Sequence, residues 1–283
     1  MTLFSPFLFL STDPTIIKTS LSYIFALMPS RKKKRLARWV ILISLLAILI
    51  LVGRLGYNWL VYRNAKFTRY PQFNITIPNE YEIHGIDVSK YQDIIAWEEV
   101  RKMKVHDIQL GFAFIKATEG VGNMDPQFNR NWRRSRHNDI VRGAYHFFIA
   151  SKDGKMQAQN FIKRVSLESG DLPPVLDVEQ RYGVSKAQLR KEVKEWLDVV
   201  ELYYKVKPII YTNVDFYDQN LGSDFDDYPL WVAHYYQQEQ PRIARNWIFW
   251  QHNDQGNVNG ITAKVDFNVF RGDSVEFRNI LVP

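Results

Sequence analysis

Cysteine is absent from all 283 residues. This excludes a disulfide framework, a thiolate metal site and a cysteine nucleophile, so a domain working outside the cytosol must rely on its own core. Net positive charge is scarce outside one place. Most of the net charge of +7 is carried by Arg31, Lys32, Lys33, Lys34, Arg35 and Arg38, and the rest of the chain is near neutral. That distribution describes a membrane flank and argues against a nucleic-acid groove. Other signatures are missing too. Gly120-Val121-Gly122 lacks the third glycine and the helix of a phosphate cradle. His146, His234 and His252 form no His-x-x-x-His pair, so hydrogen-bonding roles are expected for them and neither metal nor cofactor. No small-x-small cleavage site follows Val52.

What is present begins with that basic run, followed by the apolar stretch Trp39 to Gly53, then Arg54 and the aromatic-rich Leu55 to Tyr62. The apolar core is short for a full crossing, but Arg54 can snorkel, and Trp39, Tyr57, Trp59 and Tyr62 suit interfacial belts. The sequence predicts a cytoplasmic segment over 1–38, with translation starting at Met28, and an uncleaved single-pass signal anchor over 39–62. An extended spacer over 63–83, with Pro71 and Pro78, and a domain over 84–283 follow. The positive flank stays in the cytoplasm, which places everything after Tyr62 on the outer, periplasmic or extracellular, side of the cytoplasmic membrane.

From His84 onward, eight apolar strand-like runs appear: Ile83 to Val88, Phe112 to Ala117, Gly143 to Ile149, Pro174 to Val178, Pro208 to Tyr211, Leu230 to Ala233, Trp247 to Trp250 and Val265 to Phe270. Helical patterns over Asp93 to Lys104, Pro126 to Asn138, Lys155 to Leu167 and Lys186 to Tyr204 separate the early ones. Strand alternating with helix implies parallel strands with right-handed crossovers. After the fifth strand the spacing is too short for a full helix. The expected fold is therefore α/β, a TIM-like barrel of five βα units followed by three strands that are at least partly antiparallel, preceded by one transmembrane helix.

Polar residues gather at all eight strand ends, where a barrel of this kind keeps its working groups. The stretch Leu172-Pro173-Pro174-Val175-Leu176-Asp177-Val178-Glu179 is the most telling. Alternate strand residues share a face and rise about 3.3 Å each, so Asp177 and Glu179 point the same way with backbones roughly 6 to 7 Å apart. The more enclosed of two neighbouring acids holds its proton to higher pH, and a protonated carboxyl beside a charged one is what glycosidic cleavage needs.

The ordered motifs His84-Gly85-Ile86-Asp87-Val88-Ser89, Phe112 to Gly120, Arg142-Gly143-Ala144-Tyr145-His146-Phe147, Asp177-Val178-Glu179, Ile210-Tyr211-Thr212-Asn213, Leu230-Trp231-Val232-Ala233-His234-Tyr235 and Val265-Asp266-Phe267-Asn268 resemble glycoside hydrolase family 25, the Chalaropsis-type lysozymes or N-acetylmuramidases. The resemblance spans about 84 to 272. It implies a barrel of five βα units and three further strands, and cleavage of the β-1,4 bond between N-acetylmuramic acid and N-acetylglucosamine in peptidoglycan. By position it makes Glu179 the general acid, with Asp177 orienting the reacting acetamido group and Asp87 and Asp266 completing an acidic cluster.

Substrate contacts are expected from Tyr145, His146, Phe147, Tyr211, Asn213, Trp231, His234, Trp250, Gln251 and Asn268, with Tyr235 as a further stacking residue. Trp250-Gln251-His252 departs from the family in carrying a histidine. Two routes stand open, attack by the substrate's acetamido oxygen or by water, and the short Asp-x-Glu spacing favours the first. The expected partners are peptidoglycan strands and the membrane, with no nucleic acid, and the expected state is a monomer remodelling its owner's wall. Two other readings fit the same residues: an inactive wall-binding module and a chitin-type hydrolase.

Overall fold

The computed structural model describes residues 30–63, 66–237 and 239–283; the expected start at Met28 lies outside them. The chain divides into two units between residues 65 and 66. The first contains one α-helix, α1 (Ser30–Arg63), in which Arg31–Val61 is long and apolar enough to cross a membrane by length and composition. The basic run, the apolar stretch and the aromatic-rich segment thus form one helix, and its large apolar side chains from Trp39 to Val61 are exposed.

The second unit opens with a hairpin, β1 (Phe67–Tyr70) and β2 (Ile75–Pro78), paired antiparallel. From Lys66 on, the segment expected to be a spacer is therefore folded. Phe73, Ile75 and Ile77 are buried because this region is a lid on the barrel wall: the Phe73 ring meets Phe267 at 5.3 Å, Phe67 meets Trp250 at 6.3 Å, and the Phe73 carbonyl accepts from Asn257 N–H at 2.8 Å.

The barrel strands are β3 (Ile83–Val88), β4 (Ile108–Glu119), β5 (Val141–Phe147), β6 (Val175–Asp177), β7 (Ile209–Asn213), β8 (Leu230–Ala233), β9 (Phe249–Gly256) and β10 (Val265–Phe270). Helices α2 (Trp97–Lys102), α3 (Phe128–His137), α4 (Gly154–Arg164) and α5 (Lys186–Tyr204) follow the first four. Short helical turns over 214–225 follow β7, and α6 (Ser274–Asn279) ends the chain. Strands β3 to β9 run parallel, neighbour to neighbour. Only β10 runs against both its partners, β9 and β3, and it closes the ring. No helix lies between β8 and β10 among the described residues, and the hairpin covers the wall left bare there.

Aromatic rings fill the interior. Phe112, Phe114, Trp231 and Phe249 are buried inside, with Phe114 stacked on Trp231 at 4.2 Å. Glycines on adjacent strands make the room: a Cβ at Gly85 would sit 2.5 Å from the Phe112 ring, and one at Gly143 2.5 Å from the Phe114 ring. Several boundaries differ from expectation by a few residues. The helix read from Asp93 starts only at Trp97, because Asp93 adopts φ 50° and leaves Ile94 in solvent. Strand β5 stops at Phe147, two residues short.

Candidate active site

The proline pair Pro173-Pro174 brings the chain into β6 without amide donors, and pairing then runs past the last strand residue, since Val178 N–H donates to the Tyr211 carbonyl at 2.9 Å. Alternation therefore holds through Glu179. Asp177 and Glu179 both line an open cleft of about 260 Å³, together with Asp87 and Asp266. Asp87 closes β3. Asp266 instead opens β10, and the reversed direction of that strand brings its start to the mouth where the other strands end, with Asp266 and Asp87 as direct cross-strand partners.

A buried relay of hydrogen bonds fixes this mouth. Trp231 Nε1 donates to Asn268 Oδ1 at 2.8 Å, and Asn268 Nδ2 donates to Asp87 Oδ2 at 2.8 Å. From the other side Gln251 Nε2 donates to the same oxygen at 2.7 Å, while Gln251 Oε1 accepts from the phenols of Tyr211 at 2.8 Å and Tyr235 at 2.6 Å. Asp177 Oδ1, by contrast, is buried with no hydrogen-bond partner among the described residues.

Burial raises all four acids. Asp87 lies well above the ordinary carboxylate range, from desolvation and from Asp266 beside it, against the pull of its two amide donors. Asp266 is pushed up to about 6 by burial and by Asp254. Asp177 is raised by burial and by the charge of Glu179. Glu179 is raised by burial, with the Tyr211 hydroxyl and the Lys116 charge pulling it back. Lys116 lines the same cleft, ion-paired with Glu119 at 2.7 Å and lying 4.5 Å from the Phe147 ring centre.

The cleft also brings together Tyr145, Phe147, Tyr211, Trp231 and Gln251 from the expected contacts. Asn268 sits one layer behind, holding Asp87. Four expected contacts lie elsewhere. His146 and Trp250 alternate with inward neighbours and so face outward. His146 stacks on Trp196 between Thr118 and Gln157; burial drives its pKa down to about 3, so it is a neutral packing residue. Trp250 packs under the hairpin with Tyr81 and Trp247. Asn213 caps the next turn by accepting from Phe216 N–H at 2.9 Å, and His234 Nδ1 accepts from Arg242 N–H at 3.1 Å.

Residues not singled out as contacts also line the cleft: Ser89, Tyr91 and Gln92 on the turn after β3, and Lys116. The signal for them was a Ser-x-x-Gln capping box directly behind Asp87.

Residues 86–261 match glycosyl hydrolases family 25. The chain is 44% identical over 255 residues to the Escherichia coli K12 protein YegX, covering 87% of this chain and 94% of that one. It is 33% identical over 211 residues to Lysozyme M1 of Streptomyces globisporus, covering 68% and 69%. A solved family 25 glycosyl hydrolase from Bacillus anthracis superimposes with a TM-score of 0.66 at 33% identity, over 72% of this chain and 95% of that one. A closed barrel with four acids at one mouth and a sequence related to lysozymes along most of its length place the chain in glycosyl hydrolases family 25.

Proposed function

We propose that the chain hydrolyses the β-1,4 bond between N-acetylmuramic acid and N-acetylglucosamine in peptidoglycan, with Glu179 as general acid. Family membership supports the substrate class, and the cleft supports the division of labour. Burial raises the pKa of Glu179, which favours the protonated form that gives its proton to the departing sugar oxygen as the C1–O bond breaks.

The buried, unpartnered oxygen of Asp177 is the observation that carries the reading. A carboxylate oxygen stripped of water and left without a donor is costly. The amide N–H of a 2-acetamido group would satisfy it and, once oriented, turn the acetamido oxygen toward C1. As the leaving oxygen departs, the acetamido oxygen bonds to C1 and closes a ring; water, giving a proton back to Glu179, then adds at C1, breaks that bond and restores the acetamido group. Asp87 and Asp266 lie in the same mouth and supply negative field to the cationic sugar.

The membrane-compatible α1 supports a tethered enzyme, with 1–38 on the cytoplasmic side and the hydrolase on the outer face, acting on its owner's wall. Incubating purified sacculi with the full-length protein and weighing the fragments tests the activity. New reducing ends should be N-acetylmuramic acid; N-acetylglucosamine at those ends, or no release, overturns the proposal. Glu179→Gln should still bind glycan and cut at least about a hundredfold more slowly, and undiminished cutting by that variant removes Glu179 from its role.

A further inference from the structure

Beyond the acid cluster, on the side of Asp266, stands an aromatic group that the four-acid reading does not use. Tyr236 is 64% exposed, large and apolar-faced, and its backbone sits at φ 56°, a left-handed conformation that side chains beyond Cβ disfavour. It is nonetheless pinned. Its amide donates to the His252 carbonyl at 3.3 Å, and its hydroxyl donates to Asp254 Oδ1 at 2.6 Å. Its ring meets that of Tyr235 edge-on at 6.2 Å, and Tyr235 lines the cleft. Asp254 lies within the register shifts of β9 between Gln251 and Gly256, where bulges re-aim side chains at a barrel rim.

Strain of this kind persists where the surroundings over-determine it, and it gathers at binding sites. An exposed phenol ring with a carboxylate held at its edge suits one ligand class. The ring takes the C–H face of a pyranose, and a carboxylate, with about four acceptor positions of which Tyr236 uses one, takes sugar hydroxyls. We infer that Tyr236 and Asp254 form a saccharide subsite that extends the cleft past Asp266 and holds glycan strands beyond the sugars at the cleaved bond. The inference rests on the proposed glycan hydrolysis and adds a determinant of strand length to it.

The test uses the full-length chain in detergent and peptide-free β-1,4-linked N-acetylmuramic acid/N-acetylglucosamine strands of about four and about eight sugars. Tyr236→Ala should raise KM for the longer strand about tenfold, equivalent to about 1.4 kcal/mol. The shorter strand should change less than about twofold, with kcat held for both. Tyr236→Asn, whose side chain tolerates left-handed backbone, should lose the same affinity without lowering the thermal midpoint, and Asp254→Asn should lose part of it. An unchanged KM for the longer strand in Tyr236→Ala overturns the subsite, as does a midpoint that falls in step with activity in Tyr236→Asn. Calorimetric titration of the longer strand into Glu179→Gln, with and without Tyr236→Ala, reads the subsite without cleavage. A wild-type chain that binds the strand through Tyr236 but never cuts it would therefore sink the hydrolase reading and leave the subsite standing.

Discussion

Tyr211 gives its phenol proton to Gln251 Oε1 at 2.8 Å, and the same amide gives a proton from its other end to Asp87 Oδ2 at 2.7 Å. The same hydroxyl lies within hydrogen-bonding reach of Glu179, where it pulls the Glu179 pKa down against the rise from burial. Gln251 thus ties the phenol beside Glu179 to the carboxylate of Asp87. Gln251→Leu should cost about 1–3 kcal/mol of stability, because it strands two phenols and a buried carboxylate. It should also lower kcat by more than that loss of folded protein explains. Denaturant titration alongside steady-state kinetics checks it, and a variant with wild-type kcat would show the relay to be decorative.

With Glu179 in the proposed role of general acid, the alkaline limb of activity should follow its proton. The Lys116 ammonium stabilises the charged form of Glu179 and so pulls its pKa down. Lys116→Met removes that charge, and the alkaline limb of the kcat profile should move to higher pH. A limb that stays still or moves down contradicts the electrostatic role given to Lys116.

Asp266 has a folded-state pKa of about 6 against about 3.9 for a free aspartate. Between those values the folded chain keeps a proton that the unfolded chain has lost, so this group's contribution to stability falls as pH rises through that window, and the full cost stands above it. Asp266→Asn removes the cost. The variant should be more stable than wild type at pH 8, by on the order of 1–3 kcal/mol, with the gap closing by pH 4. Melts across that range read the difference directly, and a gap that widens toward acid would reverse the assignment.

Phe73 is fully buried between the hairpin and the barrel wall. Phe73→Ala should destabilise the hydrolase by about 3–5 kcal/mol, although the residue lies in a stretch that reads as a linker. A midpoint within a degree of wild type would mean that the hairpin is dispensable.

That stretch also shows where the sequence stops being informative. The strand runs, and Asp177 with Glu179 on one face, were legible because each obeys a local rule of the strand: a short apolar run, and a period of two along it. The hairpin was not legible, since Phe73, Ile75 and Ile77 are scattered among prolines and polar residues, and their burial comes from strands almost two hundred residues away. His146 and Trp250 were misplaced for a related reason. Neighbours on a strand cannot both face inward, so accepting Tyr145, Phe147 and Gln251 should have sent them outward. Tyr236 shows no local pattern, because its place depends on irregular pairing in β9.

Asp87 and Asp266 come from the first and last strands of the ring, and they meet only because β10 turns back against β3. A ribosome must therefore release nearly the whole polypeptide before the pair exists. Unfinished chains would carry Asp177 and Glu179 but no closed mouth around them, so the four acids come together only after the segment through Phe270 has been made.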